Sequence, residues 1–315
     1  MSQSSASPFH LLAPPYTELL PLGEDENFPR SPRTLRGVAL VWRMASGHRP
    51  GHLARASGRP GGLALIAILP PSERVVQFHD RVLEVLEEAR PLAVLPHHPR
   101  EEVRELRSLL RKEPEKPGGE FLDFLQWRGL ALDQETRRIV YRTMELSAEL
   151  RTLGALARGV YLSRRALGRR FQQRGLPVPS HWLQFCRLLR VLYQLQNTQR
   201  PLSVIARSLG YPDGFTLSNQ MERRVGVRPS VVRERLGWEW FAEAWLRKEW
   251  EDGGLTRPLR GYDSQFTGEL RRQRAGIPGK PHVAVPEQLA RLSNGEEQAD
   301  GTSGTSEAER SGAAA

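Results

Sequence analysis

Residues 203–235 read "SVIARSLGYPDGFTLSNQMERRVGVRPSVVRER", the most informative stretch of this 315-residue chain. Apolar residues at helical spacing stop at Gly210, and a Tyr-Pro-Asp turn follows. A second helical pattern begins after Asp213, a residue type that is preferred at helix N-caps. The small side chain of Ala206 lets the two helices approach each other closely. The stretch therefore predicts a helix-turn-helix unit.

A second, loosely matching unit lies upstream in "LARGVYLSRRALGRRFQQRG", residues 156–175. It turns at Gly159 and restarts at Ser163, and its Ala157 precedes Ala206 by 49 residues. Each unit has two apolar residues four positions apart, which hold its second helix on its first: Leu167 and Phe171, then Leu217 and Met221. Between the units, "SHWLQFCRLLRVLYQLQN" predicts one amphipathic linker helix that fixes their spacing.

The far face of the second helix in each unit is polar. Arginine bonds guanine edges bidentately, asparagine and glutamine bond adenine, and the major groove of DNA admits one helix. Helix starts also offer free N–H groups to phosphate. The candidate DNA-binding residues are Ser163, Arg164, Arg165, Gly168, Arg169, Gln172, Asp213, Thr216, Ser218, Asn219, Gln220 and Arg223.

The charge distribution favours a nucleic-acid surface over scattered solvated arginines. Residues 151–238 contain 16 arginines, no lysine and three acidic residues, a net charge of +13. The whole chain has a net charge of +10, so the remainder has −3. Because the entire positive excess lies in one segment, that segment is expected to bind duplex DNA electrostatically.

Residues 150–236 resemble the DNA-binding domain of the AraC/XylS family of bacterial transcription regulators. That domain has two helix-turn-helix units joined by a central helix. The resemblance rests on Leu156-Ala157, Ser163, Leu167, Arg169, Phe171, Gly175, Arg187-Leu188, Ile205-Ala206, Gly210-Tyr211, Asp213, Gly226, Pro229 and Arg233. It implies a sequence-specific transcription regulator with two recognition helices in successive major grooves, roughly 34 Å apart.

The second unit departs from the family pattern. Leu217 and Met221 stand where the family has phenylalanines, and Val232 stands where it has tyrosine. These apolar exchanges preserve a fold. Asn219 replaces a basic residue, so we expect the first, arginine-rich unit to hold DNA more strongly than the second.

Before the helical region, the sequence predicts a small α/β regulatory domain at residues 35–112, after a disordered N-terminus at 1–34. Its strands are "GVALVWRM", "LALIAIL" and "LAVLP", and helical patterns over 72–89 and 99–111 separate or follow them, which predicts a parallel sheet. The order is similar to the receiver domain of two-component response regulators. The acidic residues of a receiver are missing after the first two strands, so the segment is interpreted as a degenerate sensor or docking domain.

The rest of the chain divides by composition. "KEPEKPGG" at 112–119 marks a boundary, and connecting helices are predicted over 120–149 with a break near Gly129. After the predicted double helix-turn-helix domain at 150–237 comes a Trp-rich helix with a basic extension, 238–285, and then a disordered tail, 286–315. Packing of that helix on the DNA-binding domain is favoured over a partner surface. Its apolar face has Trp238, Phe241, Trp245 and Leu246.

No enzyme chemistry is predicted. Cys186, the single cysteine, sits among apolar residues without a nearby base, so a buried thiol is favoured over an alkyl acceptor. His79, His97 and His98 lack companions at metal-ligand spacing, and "GRPGG" at 58–62 lacks the lysine of a phosphate loop and is interpreted as a turn.

The prediction is a cytoplasmic, nucleoid-associated regulator that binds double-stranded DNA without cofactor, metal or membrane. A regulatory protein, RNA polymerase and a second copy of the chain stay open as protein partners. The alternative function is an adaptor that keeps the helix-turn-helix fold and acts by binding another regulator through the Trp-rich helix and the α/β domain.

Overall fold

The computed structural model describes residues 7–29, 31, 33–44, 50–71, 79–96 and 102–260. The strands are β1 (Phe9–Leu12), β2 (Leu20–Leu22), β3 (Ala39–Arg43), β4 (Ala64–Ile68) and β5 (Ala93–Leu95). The helices are α1 (Pro50–Ser57), α2 (His79–Ala89), α3 (Glu102–Arg111), α4 (Pro117–Trp127), α5 (Gln134–Leu146), α6 (Leu153–Gly159), α7 (Arg164–Gln173), α8 (Pro179–Asn197), α9 (Leu202–Ser208), α10 (Gly214–Val225), α11 (Pro229–Glu234) and α12 (Glu239–Glu251).

The five strands form one mixed sheet in the order β2-β1-β3-β4-β5. Strands β3, β4 and β5 are parallel, as the sequence predicts, because helices connect them. Helices α1 and α2 cover one face of the sheet, where Trp42 and Leu65 are buried. Helix α3 covers the other face through Leu106 and Leu110. Burial on both faces explains why β3 and β4 are continuous apolar runs.

Two expectations about the N-terminal part are wrong. Residues 1–34 were expected to be disordered, but β1 and β2 lie within them, and β1 is antiparallel to both β2 and β3. The sheet is therefore mixed rather than purely parallel. The physical reason is that Phe9 and Leu11 become buried only by pairing with β3, some 30 residues further along the chain.

The helices from α4 onward enclose a second core around α8. The break predicted near Gly129 is confirmed: α4 ends before it, and Gly129 has a φ of 87°. The apolar face of the Trp-rich helix, α12, is buried in this core, where the rings of Trp245 and Phe185 stack with centroids 4.2 Å apart. The prediction that this helix packs on the DNA-binding domain is therefore confirmed, and its apolar face is not available to a partner.

The sheet and the helical core are in direct contact. The Tyr16 hydroxyl accepts a hydrogen bond of 2.7 Å from the backbone N–H of Leu236, and Arg90 forms a 2.6 Å ion pair with the buried Glu239 of α12. Helix α4 begins at Pro117, inside the predicted boundary segment. Among all the helices of the described ranges, none has both the length and the apolar character needed to cross a membrane.

Candidate nucleic-acid interface

The first helix-turn-helix unit consists of α6 and α7. The Ser163 hydroxyl caps α7 by accepting a 3.1 Å hydrogen bond from the backbone N–H of Ala166, as its residue type predicts. Leu167 and Phe171, four residues apart, are buried and fix the rotation of α7 about its axis. The opposite face of α7 is therefore held towards solvent.

The second unit consists of α9 and α10, and the turn predicted at Gly210 is present. Gly210 has a φ of 74°, in the left-handed region that favours glycine, and a Cβ there would overlap the guanidinium of Arg151. The Asp213 carboxylate caps α10 by accepting a 2.7 Å hydrogen bond from the Thr216 N–H. That bond is the leading cause of a pKa below the usual range for Asp213. Gly226, with a φ of 74°, ends the helix.

Arginines along α8 attach it to the second unit and to α5. Arg187 donates a 2.6 Å hydrogen bond to the Leu209 carbonyl, at the end of α9, and its guanidinium lies 4.5 Å from the ring centroid of Tyr211. Arg190 donates to the Ser147 hydroxyl at 2.9 Å and thereby anchors α8 to the end of α5. Both guanidinium groups therefore bond to groups within the protein.

A second arginine pair ties α7 to the start of α5. Asp133 caps α5 and forms ion pairs with Arg170, at 3.5 Å, and Arg174. The hydroxyl of Thr136, and then Arg174, hold the pKa of Asp133 well below its usual range. The count of 16 arginines in the segment therefore overstates the charge that is available to a ligand.

All twelve residues that the sequence selects for DNA binding are accessible to some degree. Half-buried members are Gly168, Thr216, Ser218 and Gln220. Exposed members are Ser163, Arg164, Arg165, Arg169, Gln172, Asp213, Asn219 and Arg223. Helix α7 has no acidic residue, so its exposed arginines make it the more positive of the two polar faces.

Sequence reasoning missed two exposed aromatic residues beside these faces. Tyr161, in the turn of the first unit, is 86% exposed, and Phe215, in the first turn of α10, is 75% exposed. Most large apolar side chains of the helical region are buried, so these two stand out. For Phe215 the sequence contains a signal. The two N-cap residues, Ser163 and Asp213, are 50 positions apart, and the same offset aligns Phe215 with the candidate DNA-binding residue Arg165.

The other candidate chemistries find no support. Burial raises the pKa of the Cys186 thiol to about 12, so the reactive thiolate is suppressed. The glycine turn at 58–62 is filled by protein, because a Cβ on Gly61 would overlap the carboxylate of Glu243. No cluster of metal-ligating side chains occurs within the described residues, and His97 and His98 lie outside them.

Two helix pairs, each with a capped second helix and an accessible polar face, are joined by α8 and form two helix-turn-helix units. Residues 156–235 match the family model described as a helix-turn-helix domain. None of the curated proteins matches the chain.

Solved structures that match include two bacterial transcriptional regulators. One, with an AraC-type DNA-binding domain, is from Chromobacterium violaceum: it is 25% identical, the match covers 31% of this chain and 91% of that chain, and the TM-score is 0.28. The other is the transcriptional regulator CdpR from Pseudomonas aeruginosa: it is 18% identical, with coverage of 48% of this chain and 50% of that chain and a TM-score of 0.29.

The segment 156–235 is therefore assigned as a helix-turn-helix domain. The matched range spans the two units described above. The chain thus contains a helix-turn-helix domain, a type of domain that binds DNA in many proteins.

Proposed function

We propose that the protein binds specific sequences in duplex DNA by placing α7 and α10 in successive major grooves. The observation that carries this proposal is the pair of equivalent helices, each capped, each fixed in rotation by two buried apolar residues, and each with an accessible polar face. The twelve residues selected from the sequence are the proposed contacts.

The linker helix supports the spacing that this proposal requires. Helix α8 has 19 residues and is about 28 Å long at 1.5 Å per residue. That length is comparable to the roughly 34 Å of one turn of DNA, the separation of successive major-groove faces. The contacts of Arg187 and Arg190 keep α8 attached to the second unit and to α5.

The charge on the two faces supports unequal contributions. Arg164, Arg165 and Arg169 are exposed on α7, and the described residues provide no ion pair for them. Helix α10 presents Asn219 and Arg223 together with the exposed Glu222. We propose that the first unit supplies most of the affinity, because phosphate neutralisation dominates the binding of DNA.

The test uses the full chain and duplexes selected from a randomised pool. We expect protection from cleavage at two half-sites one helical turn apart. Arg165→Ala is expected to cost roughly 1–3 kcal/mol if the side chain bonds a base. Loss of a phosphate contact would instead reduce the slope of log affinity against log salt by about 0.9.

Arg81→Ala provides the matched control, since Arg81 is an exposed arginine on α2 of the α/β domain. It removes the same charge away from the proposed interface and should leave affinity unchanged. Protection of a single half-site, or equal losses for Arg165→Ala and Arg81→Ala, would overturn the two-helix proposal.

The adaptor alternative has lost one of its two proposed surfaces. Trp238, Phe241 and Trp245 are buried in the helical core, so the Trp-rich helix offers no apolar face to a partner. We therefore retain duplex DNA as the proposed partner.

A further inference from the structure

The two recognition helices are built alike but differ at corresponding exposed positions. Their caps, Ser163 and Asp213, are 50 positions apart and each accepts a hydrogen bond from the third backbone N–H of its helix. The same offset relates their buried residues, Leu167 with Leu217 and Phe171 with Met221. By this correspondence Phe215 takes the place of Arg165, and Asn219 takes the place of Arg169.

Phe215 is held on the exposed face by its surroundings. Gly214 lies against α9, where a Cβ would come within 3.3 Å of the backbone nitrogen of Ser203. Leu217 and Met221 are fully buried, so α10 cannot rotate to bury Phe215. Residues four apart share one helix face, and Phe215 is therefore aligned with the exposed Asn219.

The major groove offers one apolar group to such a side chain, the 5-methyl group of thymine. Asparagine pairs bidentately with the N6 and N7 edge of adenine, whereas arginine pairs with guanine. The exposed Phe215 and Asn219 on one face thus match A·T base pairs, and Arg165 and Arg169 on the other helix match guanine.

We propose that the second unit recognises an A·T-containing half-site, with Phe215 covering a thymine methyl group and Asn219 bonding adenine, while the first unit recognises guanine. The inference rests on the proposed function, because it requires α10 to enter a major groove. It makes the binding site asymmetric, so the protein has a fixed direction on DNA.

The experiment replaces thymines of the second half-site, one at a time, by deoxyuridine in the duplex selected with the full chain. Deoxyuridine keeps the base pairing and removes only the methyl group. At one position we expect affinity to fall about fourfold, because the free energy of burying one carbon group corresponds to an affinity ratio of that size. Phe215→Ala should bind the thymine duplex more weakly and should abolish the difference between thymine and deoxyuridine, as a double-mutant cycle requires.

Tyr161→Ala is the matched control, because Tyr161 is also a highly exposed aromatic residue but lies outside α10. It should retain the full sensitivity to deoxyuridine. Equal melting temperatures of the variants and the parent chain establish that folding is intact, as expected for substitutions at exposed side chains.

The outcomes separate this inference from the proposed function. Two protected half-sites without any sensitive thymine, or a deoxyuridine effect that persists in Phe215→Ala, would overturn the inference alone. Failure to bind any selected duplex would overturn the proposed function and this inference with it.

Discussion

One buried hydroxyl group bridges the N-terminal part of the chain and the segment that follows α11. Tyr16 is buried, and its hydroxyl donates a 2.7 Å hydrogen bond to the Gly37 carbonyl while accepting one of 2.7 Å from the Leu236 N–H. Tyr16→Phe removes the hydroxyl and keeps the ring. Each buried polar group left without a partner costs about 1–3 kcal/mol, and two groups lose their partner, so we expect a loss of about 2–6 kcal/mol in the free energy of unfolding.

Urea unfolding, followed by the fluorescence of the seven tryptophans, measures this loss. The transition midpoint should fall while the denaturant slope stays constant, since the surface exposed on unfolding is unchanged. Tyr161→Phe is the control and should change stability by less than about 0.5 kcal/mol, as is usual for an exposed side chain. A loss for Tyr16→Phe as small as that of the control would refute the assignment of Tyr16 as the buried bridge.

The same hydroxyl predicts a dependence on alkaline pH. Burial raises the pKa of Tyr16 above its ordinary value, so the folded state keeps the proton that the unfolded chain releases near pH 10. The stabilisation is complete below about pH 10 and is lost as pH rises beyond it, at about 1.4 kcal/mol per pH unit for one tyrosine. Tyr16→Phe should therefore lose stability less steeply in alkaline urea titrations than the parent chain.

Three further predictions concern other parts of the molecule. Cys186 should resist iodoacetamide at pH 8 in the folded chain and react in urea, as followed by mass spectrometry; equal rates in both states would contradict its burial. Gly210→Ala should destabilise by about 1–2 kcal/mol because of its left-handed backbone, whereas Gly168→Ala, inside α7 with open space around its Cβ, should stabilise by about 0.5–1 kcal/mol; thermal melts that reverse this order would refute the turn geometry. Glu243 forms a buried ion pair with Arg128, 2.8 Å apart, so Glu243→Ala should lower the free energy of unfolding by about 3 kcal/mol in urea. An unchanged free energy of unfolding would be inconsistent with this ion pair.

The helix-turn-helix units were predictable because their determinants are local. A cap such as Ser163 or Asp213 acts within its own first turn, and an apolar pair such as Leu167 and Phe171 acts within one helix. The turn at Gly210 needs a backbone conformation that glycine adopts most easily. These features survive in the sequence without any knowledge of the fold.

Strands β1 and β2 could not be recognised in the same way. Each has only three or four residues, and they are surrounded by proline, serine and acidic residues typical of unstructured chain. Their hydrogen bonds connect them to each other and to β3, so the pairing exists only in the assembled sheet. The burial of Phe9 depends on that pairing and leaves no periodic signal long enough to detect.

The roles of individual arginines also depended on the fold. Arg165 and Arg187 are equal in the sequence count of charge, yet one is exposed on α7 and the other bonds the end of α9. Net charge favours an acidic partner because it sums over the whole segment. The choice between a ligand and an internal carbonyl depends on the distance to each acceptor.

The sequence by itself determined the two units and their caps, since these follow from residue type and short spacing. Only the tertiary structure decided that the N-terminal segment completes a mixed sheet, that the Trp-rich helix is buried, and that Phe215 is left exposed beside Asn219. These features depend on contacts between residues that are far apart in the chain, and such contacts leave no local pattern in the sequence.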